Sequence, residues 1–309
     1  CRQSRLLAKV GASYGAARAM KNRYLGFYCF TNFDKLVLRR LIQLKRMNPD
    51  VTFIPCLGVR QRIFIPALVN LGRGSMKKFH WFFLRSKNVF EFSRIMTERV
   101  ESVRRKVEIQ TMQQVLNRFG MKLYCDFTPM GYYNLDLTIL NWFSYEGCKL
   151  DFDFLLFLEH DMVATHAIES LYSKYADYDA GFVWYQKAGP NWYPYKGIFG
   201  KESISEWMRM RKLNPMLYRG LFAGAMISRK VLLKLQHLQL PYGFCEMRLP
   251  SIVTGFGYSC ARLNFPMVRY RPPFSKADVE ENSHYGLFHP VYEEVQTEEI
   301  ANWKKLATK

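Results

Sequence analysis

Apolar residues fall into two alternating patterns along this chain, and their alternation predicts an α/β fold. Residues 24–30 form an unbroken apolar run, as a strand covered on both faces requires. Thr31 or Asn32 then offers an N-cap, and Leu36, Val37, Leu41 and Leu44 recur at helical spacing. Asn48-Pro49-Asp50 ends that helix, and residues 51–57 form a second apolar run. The unit reads β-α-β, so parallel pairing is the default.

Residues 60–120 break the alternation: they are basic and aromatic around His80-Trp81-Phe82-Phe83, then helical from about Val89 to Asn117. Gly120 closes this region, which reads as an elaboration of the domain at 60–118. A third strand follows over 121–127, then an amphipathic helix from Asn134 to Tyr145. Residues 152–158 are the most apolar strand, and they run straight into Glu159-His160-Asp161. The spacing of Ile168, Leu171, Tyr172 and Tyr175 predicts a helix, and 179–185 another strand. Residues 186–215 are rich in Gly, Pro, Trp and Tyr, and read as a long functional loop. The rest reads as a strand over 220–227, a Ser228-capped helix to about Leu238, a helix over 246–254, a strand over 258–263 and a Pro-rich polar tail.

Composition narrows the picture. The chain has 309 residues, 49% of them hydrophobic, which suffices for a large core without disulfides. The 24 Phe, 19 Tyr and 6 Trp mostly fill that core, while a minority would suit a carbohydrate cleft, where ring faces pack on sugar C–H faces. The seven cysteines show no CxxC or zinc spacing, and Cys29, Cys56 and Cys125 lie in apolar runs. A reduced, cytosolic or cytosol-facing environment is expected, with no spanning segment because no run of 18 apolar residues exists. The chain begins at Cys1, which leaves room for a preceding anchor or domain.

The net charge of +19 is concentrated. Residues 1–23 carry six basic residues and no acid, and residues 60–110 carry twelve against four. Such segments attract phosphate-bearing partners: an anionic membrane surface with which the protein would associate, a lipid-diphosphate acceptor, or, least favoured, nucleic acid. A solvated basic face with no partner explains them equally well. There is no G-x-G-x-x-G and no Walker lysine loop, which argues against a dinucleotide site or a P-loop.

Chemistry concentrates at residues 159–161. Acids at the carboxyl end of a parallel strand lie where open α/β sheets bind ligands. Two acids separated by one extended residue project to the same side. That arrangement suits a hard cation bridging two phosphates. Capping of the next helix explains one acid, but not an acid-X-acid triplet ending a fully apolar strand.

Leu155-Leu-Phe-Leu-Glu159-His160-Asp161 resembles the D-x-D element of GT-A-fold glycosyltransferases, with Glu in the first position. The resemblance covers about 24–60 and 120–292. It implies a GT-A-like, Rossmann-like fold: a mainly parallel central sheet flanked by helices, in one domain over 24–292, with a basic extension at 1–23 and a tail at 293–309. It also implies a nucleoside-diphosphate-sugar donor, a glycan or lipid-linked acceptor, and Mn²⁺ or Mg²⁺ as cofactor. Asp161 would be the metal ligand, Glu159 a ligand or ribose contact, and His289 in Leu287-Phe-His289-Pro290 a late metal or diphosphate ligand. His284 is a weaker candidate, as are Lys276 and Arg271 for the donor phosphates.

Residues 220–228 (Gly-Leu-Phe-Ala-Gly-Ala-Met-Ile-Ser) resemble the family's acceptor-side glycine strand, placing Ala223 and Gly224 beside the sugar, with Trp192 and Arg248 on the same side. Residues 243–250 resemble the segment of inverting members that carries the general base, here Glu246. The same carboxylate would otherwise cap a helix or pair with Arg248. By family topology the donor would contact Phe30, Thr31, Asn32, Leu57, Asp126 and Asn134, with His160 between the acids but turned away from them.

The resulting expectation is a metal-dependent, inverting glycosyltransferase. A retaining enzyme of the same fold and a non-catalytic basic nucleic-acid- or membrane-binding module stand as alternatives. A nucleotidyltransferase would carry a Gly-rich basic loop where this chain has Thr31-Asn32-Phe33-Asp34.

Overall fold

The structure, a computed structural model, describes residues 22–30, 35–58, 103–126, 134–196 and 200–293, and every structural statement concerns these residues. Thr31, Asn32, residues 1–21 of the extension at 1–23, residues 60–102 of the basic elaboration at 60–118 and the tail beyond 293 lie outside them.

Seven strands form one sheet: β1 (Tyr24–Phe30), β2 (Thr52–Gly58), β3 (Tyr124–Asp126), β4 (Phe154–Glu159), β6 (Ala180–Lys187), β7 (Tyr218–Ser228) and β8 (Cys260–Leu263). Their order is β3-β2-β1-β4-β7-β6-β8. The pairings β1–β2, β2–β3, β1–β4 and β6–β8 are parallel, and only β7 runs against its neighbours. The sheet is therefore mainly parallel, as expected, and consistent with a GT-A-like fold. A small second sheet pairs β5 (Val163–Ala164) with β9 (Leu287–Phe288).

Side-chain alternation splits the core between the two sheet faces. Tyr24, Tyr28, Phe154, Leu156 and Leu158 pack on one face with Val37, Leu41 and Leu44 of helix α1 (Lys35–Met47) and with Met112 and Leu116 of α2 (Val103–Asn117). The same side holds Ile168 and Tyr172 of α4 (Ile168–Tyr172). Leu25, Phe27, Leu155 and Phe157 pack on the other face. Their partners there include Ile139 and Trp142 of α3 (Leu135–Tyr145). Both faces of each central strand are thus covered by helices, which explains the unbroken apolar runs.

The fold also departs from the sequence expectation. Residues 186–215 are not one long loop: they contain a single turn, α5 (Tyr193–Lys196), and the helix α6 (Lys201–Met210), whose Ile204, Trp207 and Met208 are buried. Helix α7 (Arg229–Leu235) starts at Ser228, whose Oγ accepts from Val231 N. Helix α8 (Cys245–Gly255) follows as expected. Residues 264–293 of the Pro-rich tail are structured too. They contain α9 (Lys276–Glu281), held by a capping box between Ser275 and Asp278, and β9, and they fold back onto the end of β4.

Candidate metal and active site

The apolar strand β4 ends at Glu159, and the chain turns at once: Met162 N donates to Glu159 O at 3.0 Å. The returning segment closes over this turn. Val291 N donates to Asp161 O at 2.8 Å, and His289 N to Met267 O at 3.0 Å. As a result His289 Nε2 lies 3.3 Å from Glu159 Oε2 and 3.4 Å from Asp161 Oδ1. One ligand-type atom from each of Glu159, Asp161 and His289 falls within a 4.8 Å cluster. The structure thus brings His289 to the two acids of the triplet.

Two observations bear on whether this cluster fits a cation. Asp161 Oδ1 is buried and has no hydrogen-bond partner among the described residues. His289 Nδ1 lies 2.8 Å from Arg269 O; a carbonyl only accepts, so Nδ1 is the donor and Nε2 is the nitrogen turned to the carboxylates. Metal-binding histidines are oriented by such a bond. The donor set, two carboxylates and one imidazole, suits a divalent cation.

Without a cation the imidazolium balances the acids. Burial alone would push His289 down, but the Asp161 and Glu159 carboxylates outweigh it and raise it to about 10. Burial likewise opposes ionisation of Asp161, yet His289 and, more weakly, His160 hold its carboxyl below the usual range.

Glu246 stands in the first turn of α8, and its Oε1 accepts from Phe222 N at 3.1 Å. Burial pushes its carboxyl up to about 8, against the Phe222 N–H; Glu159 adds to the rise and His289 opposes it.

The remaining expected residues are divided. Phe30 and Leu57 are register partners at the carboxyl ends of β1 and β2, with side chains in the core. Asp126 ends β3, and its Oδ2 accepts from Thr138 Oγ1 at 2.6 Å. His160 N donates to Cys29 O at 2.9 Å, and its carbonyl accepts from Arg40. Trp192 packs its ring 6.1 Å from Phe244, the residue preceding α8. His284 is exposed, with its ring 4.1 Å from that of Tyr285.

Four of the expected residues are engaged by other groups of the protein. Arg248 is fully buried, and its nitrogens are committed to Asp136, Pro241 O and Asn134 Oδ1, so it braces α8 against α3 and does not face an acceptor. Asn134 is correspondingly an acceptor for Arg248. Ala223 and Gly224 lie in the buried middle of β7. Gly224 adopts φ +77°, its carbonyl accepts from Tyr172 Oη at 2.9 Å, and a Cβ there would meet Leu287, Met162 and Tyr172 at 3.3–3.4 Å. The neighbours of this glycine are thus core side chains.

Arg40 and Tyr292 were missed. Arg40 Nη1 donates to His160 O at 2.9 Å and to Val291 O at 2.7 Å, and Nη2 to Glu293 O at 2.6 Å. A signal was available, since position 40 falls on the buried stripe of Val37, Leu41 and Leu44. Tyr292 is exposed beside the cluster: burial raises its phenol, Asp161 adds to the rise and Arg271 opposes it.

No family model and no curated protein matches the chain. Among solved structures, the apo-form glycosyltransferase GlyE of Streptococcus pneumoniae TIGR4 aligns over 93% of this chain and 60% of that one, at 10% identity and a TM-score of 0.30. The chain thus spans 60% of the length of that protein. Apo mouse xyloside xylosyltransferase 1 aligns over 71% of this chain and 70% of that one, at 8% identity and a TM-score of 0.24. Superpositions this loose say nothing about chemistry, which rests on the residues themselves.

Proposed function

We propose that this chain is a metal-dependent glycosyltransferase that moves a sugar from a nucleoside-diphosphate sugar to the hydroxyl of a glycan or lipid-linked acceptor. The observation that carries this reading is the Glu159–Asp161–His289 cluster at the carboxyl end of β4. Open α/β sheets bind phosphorylated ligands at that end. The buried Asp161 Oδ1, which makes no hydrogen bond and faces His289 Nε2 at 3.4 Å, and the oriented His289 Nε2 fit a divalent cation, Mn²⁺ or Mg²⁺, with the imidazole favouring Mn²⁺. When bound, such a cation neutralises charge on a departing nucleoside diphosphate.

The chain's own residues supply the rest. Phe222 N–H fixes Glu246 Oε1, which leaves Oε2 to take the proton of an acceptor hydroxyl. A carboxyl raised to about 8 is a stronger base than an ordinary glutamate once ionised, so the base-competent form grows as pH rises toward 8. A base on the acceptor side implies direct displacement with inversion. The donor base would lie over β1 and β2, near Phe30, Thr31, Asn32 and Leu57, with Asp126 at the end of β3. Trp192 would border the acceptor.

The test is a screen of nucleotide sugars with Mn²⁺, Mg²⁺ or chelator, following release of the nucleoside diphosphate. Release from at least one donor, abolished by chelator, is expected. If no nucleotide sugar is bound or turned over with either metal, the proposal fails.

A further inference from the structure

Two non-glycine residues among those described have positive φ: Lys212 at 57° and Trp184 at 58°. Lys212 is ordinary. It follows α6, where Lys212 N and Leu213 N close the helix end onto Arg209 O and Met208 O. Trp184 lies inside β6, where no helix ends. Between the pairs Val183–Leu221 and Gln186–Arg219, β6 carries Trp184 and Tyr185 where β7 carries only Gly220. This is a β-bulge, and its left-handed position is usually glycine because a Cβ crowds the backbone there.

Tyr185 explains the bulge. Its ring lies 6.1 Å from Phe182 and stacks on Tyr218 at 5.3 Å, and its hydroxyl is 2.7 Å from Thr254 Oγ1 on α8. Bringing Tyr185 back inward spends one residue outside the alternation and leaves Trp184 at 42% exposure. Glycine at 184 would serve that turn without strain. The packing of Tyr185 accounts for the bulge but not for an indole on it. Strained residues persist where the surroundings hold them, and they concentrate at ligand sites.

The location suggests the ligand. Trp184 sits against residues 219–221 of β7, and the next residue, Phe222, holds Glu246. Because β6 runs parallel to β4, Trp184 is also at the sheet end that carries Glu159 and Asp161. Its exposed strand neighbours, Gln186 and Lys187, are polar. With its amide oxygen turned to Arg219, Gln186 accepts from Arg219 Nε at 2.7 Å, and that guanidinium lies 5.7 Å from the Trp192 ring centre. An exposed indole on the strand that carries Gln186, with Arg219 on the facing strand, matches a sugar, which offers a C–H face and hydroxyls together. A lipid tail or protein partner would call for a contiguous apolar patch.

We propose that Trp184 is a platform on which one sugar ring of a glycan acceptor stacks beside Glu246, an inference that rests on the glycosyltransferase reading above. The ring would bind a carbohydrate acceptor of more than one residue, holding a sugar adjacent to the reacting one.

The experiment compares wild type, Trp184→Gly and Trp184→Phe on an array of defined oligosaccharides, with nucleotide-sugar hydrolysis in water measured in parallel. Glycine relieves the positive φ, so Trp184→Gly is expected to melt no lower than wild type. Wild type should retain a set of glycans, Trp184→Gly should bind them about tenfold more weakly, and Trp184→Phe should keep most of the affinity. Donor hydrolysis reports separately on the transferase reading. The platform is overturned if wild type binds no glycan or if Trp184→Gly binds them equally. Glycan binding that depends on Trp184 without any donor hydrolysis would sink the transferase reading while supporting the platform.

Discussion

Arg40 Nη1 donates to the Val291 carbonyl at 2.7 Å, a bond that spans 251 positions of sequence. The same nitrogen holds His160 O at 2.9 Å, so one buried guanidinium ties the Glu159–Asp161 turn to the segment that delivers His289. Groups that orient metal ligands typically contribute 10–100-fold to metal affinity. Arg40→Met is expected to weaken Mn²⁺ binding by about that factor, and Arg40→Lys to recover part of it. Calorimetric titration checks this, and unchanged affinity in Arg40→Met would show that the clamp does not shape the site.

The pH dependence of the metal-free protein follows from two raised groups. His289 is raised from 6.5 to about 10 and Glu246 from 4.5 to about 8. A group raised on folding contributes stability that is complete below its unfolded pKa and is lost as pH climbs through its folded one. With chelator present, the melting temperature should therefore fall between pH 6 and pH 10. A melting temperature that rises over that interval would contradict both assignments.

Arg248 and Asp136 form a pair with side chains essentially removed from solvent. Removing one partner strands the other charge, at about 3–5 kcal/mol. Arg248→Met should lose stability on that scale in urea unfolding. Full stability combined with weakened acceptor binding would restore the acceptor role that the structure removes.

Glu246→Gln keeps the acceptor for Phe222 N–H but cannot take a proton. Transfer should fall by about 10²–10⁴-fold while nucleotide-sugar binding persists. Unimpaired transfer by this variant would remove Glu246 from the mechanism.

The strands and the acid triplet were legible because buried parallel strands leave unbroken apolar runs, and a run ending in Glu159-His160-Asp161 is conspicuous. The role of the tail was not. Residues 264–293 lack a strong period because their elements are short: α9 has six residues and β9 two. They are held by isolated bonds such as Val291 N to Asp161 O. His289 was identified by family likeness and not by any local pattern. Arg248 was read as an acceptor-side contact because it lies two positions from Glu246, whereas its counter-ion is 112 positions away on α3. Gly224 was read as a sugar contact for a related reason: a glycine in a strand signals close approach, but not by what. Here the neighbours are Leu287, Met162 and Tyr172.

The central claim is that Glu159, Asp161 and His289 hold a divalent cation. It is tested most directly by titrating Mn²⁺ into metal-free wild type and Asp161→Ala and counting bound ions by electron paramagnetic resonance. The account predicts one tightly bound Mn²⁺ in the wild type, and a loss of about 100-fold or more in affinity for Asp161→Ala. Mn²⁺ binding of equal strength in both proteins, or none in the wild type, would contradict it.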